Sequence, residues 1–97
     1  MLRTILITGA SSGIGAATAI AFANPNNRLI LVSRKNREGL KKIEDEGRER
    51  GAEVLSILAD VSDYEACKSL LAQANEHFGP IDLLINLSLI HISEPTR

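Results

Sequence analysis

A single glycine-rich stretch decides how this sequence is interpreted: Thr8-Gly9-Ala10-Ser11-Ser12-Gly13-Ile14-Gly15. It follows a short apolar run and opens a stretch rich in alanine, as a turn from a strand into a helix would. Gly9 and Gly13 permit a tight turn and remove side chains that would obstruct a bulky, doubly charged pyrophosphate. Gly15 lets the helix pack closely on a sheet, and the helix N-terminus presents free N–H donors to an anion.

The same stretch could also be a turn that binds nothing, because short glycine patterns recur by accident. Its position between a strand and a helix, in a βαβ unit of about 30 residues, favours dinucleotide binding. A nucleotide-hydrolysing P-loop is disfavoured because no lysine follows the last glycine. We therefore expect cofactor contacts along this stretch from Gly9, Ser11, Ser12, Gly13, Ile14 and Gly15.

Four apolar runs alternate with three helix-like stretches along the chain. The predicted strands are Leu2 to Thr8, Arg28 to Ser33, Glu53 to Leu58, and Ile81 to Asn86. The predicted helices are Gly13 to Ala23, Arg37 to Arg50, and one that begins at a capping box of Ser62 and Glu65 and ends at Phe78. This order predicts an α/β fold, the N-terminal half of a doubly wound, Rossmann-like parallel sheet with right-handed crossovers.

Length and composition exclude several classes of protein. The 97 residues allow one domain, and the net charge of −1 offers no basic surface for nucleic acid. We expect no metal site, because Cys and His lack ligand spacing, and no membrane span, because no apolar run approaches about 20 residues. The lone Cys67, and the direct entry of Met1 into a strand, predict a cytoplasmic protein without a signal peptide.

The motif T-G-A-S-S-G-I-G resembles the T-G-x-x-x-G-x-G signature of short-chain dehydrogenases/reductases. Other landmarks of that family follow in the right order, so the resemblance covers Met1 to Asn86. It implies a homo-oligomeric parent enzyme that reduces a small-molecule carbonyl, or oxidises the corresponding alcohol, with a nicotinamide cofactor. Two alternatives are a non-catalytic module that binds NADP and a truncated artefact without a function.

The residues after the second strand bear on the choice between NADP and NAD. A carboxylate there would hydrogen-bond the adenosine ribose and favour NAD, whereas cations would accommodate the 2′-phosphate of NADP. This chain has Ser33 followed by Arg34 and Lys35, so we expect NADP, with Arg34 as the preferred contact because of its fork geometry. The alternative is that Arg34 and Lys35 only begin a solvated loop.

Two further sites follow from the resemblance. Asp60 and Val61 match the family's short acidic motif, so Asp60 would accept from the adenine amino group and Val61 would line the ring pocket. Asp60 could also, or instead, cap the helix entry before Ser62. Asn86 matches the first asparagine of the family's N-N-A-G element and would help order the sheet near the cofactor ribose.

The family pattern breaks after Asn86, where residues 87–97 read LSLIHISEPTR. At every residue this string resembles the translation of a transposase adapter used to prepare sequencing libraries. We therefore divide the chain into a partial cofactor-binding domain, residues 1–86, and a non-native tail, residues 87–97. A genuine tail that extends the fourth strand is the alternative.

We expect no catalytic residue in this chain. By the resemblance, a Tyr-x-x-x-Lys pair, a serine and usually an asparagine perform the proton chemistry, and all lie downstream of the N-N-A-G element. Tyr64 and Lys68 have the same spacing but stand on the helix before the fourth strand, so we interpret them as an accidental surface pair. We also expect weak or partial folding, because an apolar edge of the sheet would be left unpaired.

Overall fold

The structure is a computed structural model that describes residues 2–87. The elements are β1 (Arg3–Thr8), α1 (Gly13–Phe22), β2 (Asn27–Ser33), α2 (Arg37–Glu49), β3 (Glu53–Leu58), α3 (Tyr64–Phe78) and β4 (Leu83–Asn86). The predicted order of strands and helices is confirmed. Nearly all of the proposed non-native tail, residues 88–97, lies outside the described residues.

The strands lie parallel in one sheet, in the order β3-β2-β1-β4. β1 pairs with β2 over its whole length, but with β4 only from Ile5 onward. This order is the first half of a doubly wound sheet, as predicted. Because the strands are parallel, their carboxyl ends share one edge of the sheet, where ligands bind in open α/β folds.

Apolar side chains fill both faces of the sheet, which explains why the strands read as continuous apolar runs. One face packs under α1 and α2 and carries Ile5, Ile7, Leu29 and Leu31. The other face packs under α3 and carries Leu6, Ile30 and Val32. Each of these strand side chains is at most 1% exposed, so β1 and β2 form the centre of the core.

The fourth strand is shorter than predicted, since it begins at Leu83 and not at Ile81. Before it, Asp82 binds β1 through its side chain as well as its backbone. Its Oδ2 accepts from the N–H of Thr4 at 2.8 Å, and its own N–H donates to the Thr4 carbonyl at 2.8 Å. A carboxylate thus stands where a regular ladder would have used a backbone carbonyl.

The predicted capping box at the start of α3 is wrong. The N-cap is Asp63, whose carboxylate accepts from the N–H of Glu65 at 3.0 Å. Ser62 makes no capping bond, and its hydroxyl instead donates to Oδ1 of Asp60 at 2.6 Å. The helix therefore begins at Tyr64, one residue beyond the cap.

Candidate functional site

The glycine-rich turn after β1 is fixed by its backbone angles and by two close contacts. Gly9 and Gly13 have φ angles of 64° and 59°, a region that glycine enters without strain. Gly15 is buried, and a Cβ there would overlap the carbonyl oxygen of Gly9. Ala10 ties the turn to β2, since its N–H donates to the carbonyl of Val32 at 3.0 Å. The close packing expected at Gly15 is therefore with the turn itself.

Helix α1 begins without a capping side chain. Its N-cap, Ser12, makes no side-chain capping bond, and the first turn carries no acidic residue. The N–H of Ala16 donates to the Ser12 carbonyl at 3.3 Å, so the amides of residues 13–15 precede the intrahelical ladder. A Cβ on Gly13 would meet nothing within 4 Å, and Ile14 is 75% exposed. The free backbone amides, the dipole of α1 and the open space over Gly13 would therefore suit an anion.

The residues after β2 adjoin this turn. Ser33 is 5% exposed; its hydroxyl donates to Ser11 Oγ at 2.9 Å and accepts from the N–H of Asn36 at 3.3 Å. Arg34 and Lys35 are exposed. The structure thus joins the predicted serines of the turn and the loop, and it leaves both cations accessible to a ligand.

Asp60, after β3, is hydrogen-bonded to Ser62. Its Oδ1 accepts from the Ser62 hydroxyl at 2.6 Å and from the Ser62 N–H at 3.0 Å. The bond from the hydroxyl, then that from the N–H, lowers the pKa of Asp60. Desolvation opposes them, and the positive charge of Arg34 adds a smaller lowering. Asp60 therefore closes the turn at the helix entry as an ionised acceptor, although the N-cap itself is Asp63.

Val61 and Asn86, the remaining predicted residues, lie near the carboxyl ends of β3 and β4. Val61 is half-buried, and its carbonyl accepts from the thiol of Cys67 at 3.1 Å. Oδ1 of Asn86 accepts from the hydroxyl of Thr8 at 2.8 Å, and the same hydroxyl accepts from the N–H of Leu87 at 2.9 Å. Asn86 thus ties β4 to the residue that opens the glycine-rich turn.

Several residues that organise this edge of the sheet are not among the predicted site residues. Thr8 opens the glycine-rich motif, and its hydroxyl joins β1 to β4. Asn36 is the N-cap of α2 and accepts from the N–H of Gly39 at 2.9 Å, which its position before a charged helical stretch could have indicated. Gly39 contacts the backbone of Ser11, and no local pattern predicts so distant a contact.

The other predicted absences concern side chains and helices between residues 2 and 87. In that range, His, Cys, Asp and Glu form no group of three or more that could hold a metal ion. None of the helices described there combines the length and the apolarity that crossing a membrane requires. Tyr64 is 72% exposed, and Nζ of Lys68 lies 5.7 Å from the centre of its ring, a cation–π contact on the surface of α3.

The family model and the related proteins that match this chain point to the same family. The family model described as short chain dehydrogenase matches residues 3–96. The versicolorin reductase stcU of Emericella nidulans is 36% identical over 98 residues, which cover 97% of this chain and 37% of the reductase.

Two solved structures share the fold at similar identity. The L-sorbose reductase of Gluconobacter frateurii, complexed with NADPH and L-sorbose, is 32% identical with a TM-score of 0.79, over 86% of this chain and 32% of its own. A xylitol dehydrogenase with bound NAD+ is 38% identical with a TM-score of 0.79, over 84% of this chain and 31% of its own. The chain thus spans 31% to 37% of the length of these three proteins.

Proposed function

The chain belongs to the short-chain dehydrogenase family, and on that basis we propose that residues 1–86 are part of the NADP(H)-binding half of an oxidoreductase. The whole enzyme reduces a carbonyl group of a small molecule or oxidises the corresponding alcohol. The lone Cys67 is our reason for proposing a cytoplasmic location, and the family resemblance is our reason for proposing a homo-oligomer.

The observation that carries this proposal is the chemistry of the turn and of the loop after β2. The turn combines backbone amides without acidic neighbours, open space over Gly13, and a helix N-terminus. The loop adds Arg34 and Lys35, both exposed, and no carboxylate. These donors suit a pyrophosphate and a ribose 2′-phosphate respectively.

The preference for NADP over NAD rests on this chain's own residues. The two related structures hold different cofactors, NADPH in the sorbose reductase and NAD+ in the xylitol dehydrogenase. An NAD enzyme would place a carboxylate at the end of β2 to bind the ribose hydroxyls. Here Ser33 ends the strand and two cations follow it, so a 2′-phosphate would be attracted and not repelled.

The predicted site residues would bind different parts of the cofactor. The turn would hold the pyrophosphate, Arg34 and Lys35 the 2′-phosphate, and Asp60 and Val61 the adenine ring. Asn86 would fix the end of β4 beside the ribose through Thr8. The cofactor, when bound, supplies or takes up a hydride. We propose that the proton donor, a Tyr-x-x-x-Lys pair, belongs to the part of the enzyme outside this sequence.

Titration of the chain with NADPH and NADH, followed by circular dichroism and nucleotide fluorescence, tests the binding proposal. A marginally stable chain remains suitable, because a ligand that binds only the folded state stabilises it. We expect tighter binding of NADPH, and Arg34→Ala to weaken it roughly tenfold, about one charge-assisted hydrogen bond, with little effect on NADH. Lys42→Ala, an exposed cation on α2, is the matched control. Equal affinities in the unmodified chain would contradict the NADP preference.

An independent long read of the source gene across the codon for Asn86 tests the parent enzyme and the tail. A continuation as Asn-Ala-Gly, with a later serine and Tyr-x-x-x-Lys, would support both proposals. Residues 87–97 followed by a stop codon would contradict the foreign tail and favour a non-catalytic NADP-binding module. The family match extends to residue 96, so it does not separate the tail from the rest of the chain. The DNA sequence does.

A further inference from the structure

The hydroxyl of Ser33 already has its partners inside the protein. Its one proton is donated to Ser11 Oγ, and one of its lone pairs accepts from the N–H of Asn36. With 5% of the residue exposed, it cannot donate to a ligand without giving up the bond to Ser11. Ser33 therefore connects the glycine-rich turn to the start of α2.

A second connection between these segments is a backbone contact at Gly39. A Cβ on Gly39 would lie 2.8 Å from the carbonyl oxygen of Ser11 and 2.5 Å from Nδ2 of Asn36. Carbon atoms do not approach backbone oxygens so closely, and Asn36 is held as the N-cap by its bond to Gly39. Any side chain at position 39 would push the glycine-rich turn away from the first turn of α2.

Of these two segments, the start of α2, before Leu40 enters the core, is the one that would yield. The turn is fixed by the bond from Ala10 to Val32 and by the contact between Gly15 and Gly9. The first turn of α2 is joined to the glycine-rich turn by the hydrogen bonds of Ser33 and Asn36. The two segments approach closely because Gly39 has no side chain. A displacement of α2 would carry the loop with Arg34 and Lys35 away from the anion-binding turn.

We infer that Gly39 is a positioning residue that sets the spacing between the pyrophosphate-binding turn and the cations that bind the 2′-phosphate. The inference rests on the proposed NADP(H) binding and deepens it. NADPH needs both anion sites at a fixed separation, whereas NADH needs only the first. The lack of a side chain at position 39 therefore favours NADPH specifically.

The test compares Gly39→Ala with Gly47→Ala by titrating each 97-residue variant with NADPH and NADH. Both changes replace glycine within α2, so both bring the same gain in intrinsic helix propensity. A Cβ on Gly47 would meet side chains and no backbone: Val54 Cγ2 at 3.1 Å, Leu29 Cδ1 at 3.9 Å and Ala23 Cβ at 4.0 Å. We expect Gly39→Ala to lower NADPH affinity about tenfold relative to NADH, the effect of one lost charge-assisted contact. Gly47→Ala should leave the ratio of the two affinities unchanged.

A folded Gly39→Ala variant that keeps the unmodified ratio would overturn the inference, as would an equal change in Gly47→Ala. Ser33→Ala is the second variant if Gly39→Ala does not fold, because it removes both hydrogen bonds without adding atoms. It should lower the same ratio, and an unchanged ratio would count against the inference. In the double variant the two effects should be less than additive, since both act through the position of α2. An unmodified chain that shows no preference for NADPH refutes the proposed cofactor, and the inference with it.

Discussion

The two flanks of β1 are built from different interactions. On the β2 side, pairing runs the full length of the strand, and Leu29, Ile30 and Leu31 are completely buried. On the β4 side, pairing is shorter, and Leu83 and Leu84 are 36% and 59% exposed. Burial holds the first flank together, whereas the second combines the partial burial of Ile85 with polar contacts at the two ends of β4.

Those polar contacts are made by two threonines of β1. Thr4 exchanges hydrogen bonds with Asp82 before β4 begins, and Thr8 binds Asn86 and Leu87 where β4 ends. The turn and the basic loop of the proposed site lie on the buried flank, while Asn86 lies on the exposed one. The proposed phosphate sites are therefore supported by the better buried part of the sheet. The exposed edge of β4 is the physical reason to expect weak folding.

The largest effect is expected on the buried flank, from Gly15→Ala. Its Cβ would overlap the carbonyl of Gly9, so the turn and α1 could not both keep their places. We expect a loss of more than about 4 kcal/mol in the free energy of unfolding, enough to abolish the helical signal in circular dichroism. Gly13→Ala is the control, because its Cβ enters open space and only the positive φ costs about 1–2 kcal/mol. Similar losses in both variants would contradict the contact.

The buried flank is also where the sequence was most informative. Strands packed on both faces must be apolar throughout, so β1 and β2 stand out in the sequence without knowledge of their partners. The glycine spacing likewise predicted the turn, whose positive φ angles at Gly9 and Gly13 only glycine adopts easily. In such places local chemistry and the final fold impose the same requirement.

Prediction failed where several polar groups could make the same bond. Ser62 and Asp63 can both cap a helix, and here Asp63 is the cap while the Ser62 hydroxyl donates to Asp60. The start of β4 depended on Asp82 reaching Thr4 across the sheet. This second contact joins residues 78 positions apart, so no local pattern predicts it.

Truncating a buried leucine of β1 and the leucine of β4 that pairs with it compares the centre of the sheet with its exposed edge. Leu6, at 1% exposed, lies on the same face as Leu84, which pairs with it at 59% exposed. We expect Leu6→Ala to cost about 3 kcal/mol in the free energy of unfolding, from lost burial and a cavity, and Leu84→Ala less than about 1 kcal/mol. Urea titrations of both variants measure the difference. A large loss for Leu84→Ala would mean that β4 is better covered than its exposure indicates.

A smaller effect is expected where Asp82 holds the start of β4. Asp82→Ala leaves the N–H of Thr4, a residue 2% exposed, without its acceptor. We expect a loss of about 1–2 kcal/mol in the free energy of unfolding, the usual cost of an unsatisfied buried donor. Asp82→Asn keeps an acceptor oxygen of the same reach and should retain most of the stability. If both variants unfold at the same urea concentration as the unmodified chain, the polar contacts do not secure this flank.

The smallest effect concerns Asp60, which lies beyond β3 on the far side of the buried flank. Its pKa is lowered from the ordinary value of 3.8, first by the hydroxyl and then by the N–H of Ser62. A group whose pKa is depressed by folding stabilises the folded state above its unfolded pKa, and this contribution disappears as the pH falls through the folded pKa. The free energy of unfolding of Asp60→Asn should therefore be slightly lower than that of the unmodified chain at neutral pH. Below the depressed pKa the two values should match.

Carboxyl chemical shifts followed by NMR as a function of pH test the cause of that shift. Ser62→Ala removes the hydroxyl but keeps the N–H, so the pKa of Asp60 should rise only part of the way back to 3.8. Ser69→Ala, an exposed serine of α3, is the control and should leave the titration unchanged. A full return to 3.8 in Ser62→Ala would mean that the backbone bond and Arg34 together do no more than offset the desolvation, which raises the pKa of Asp60.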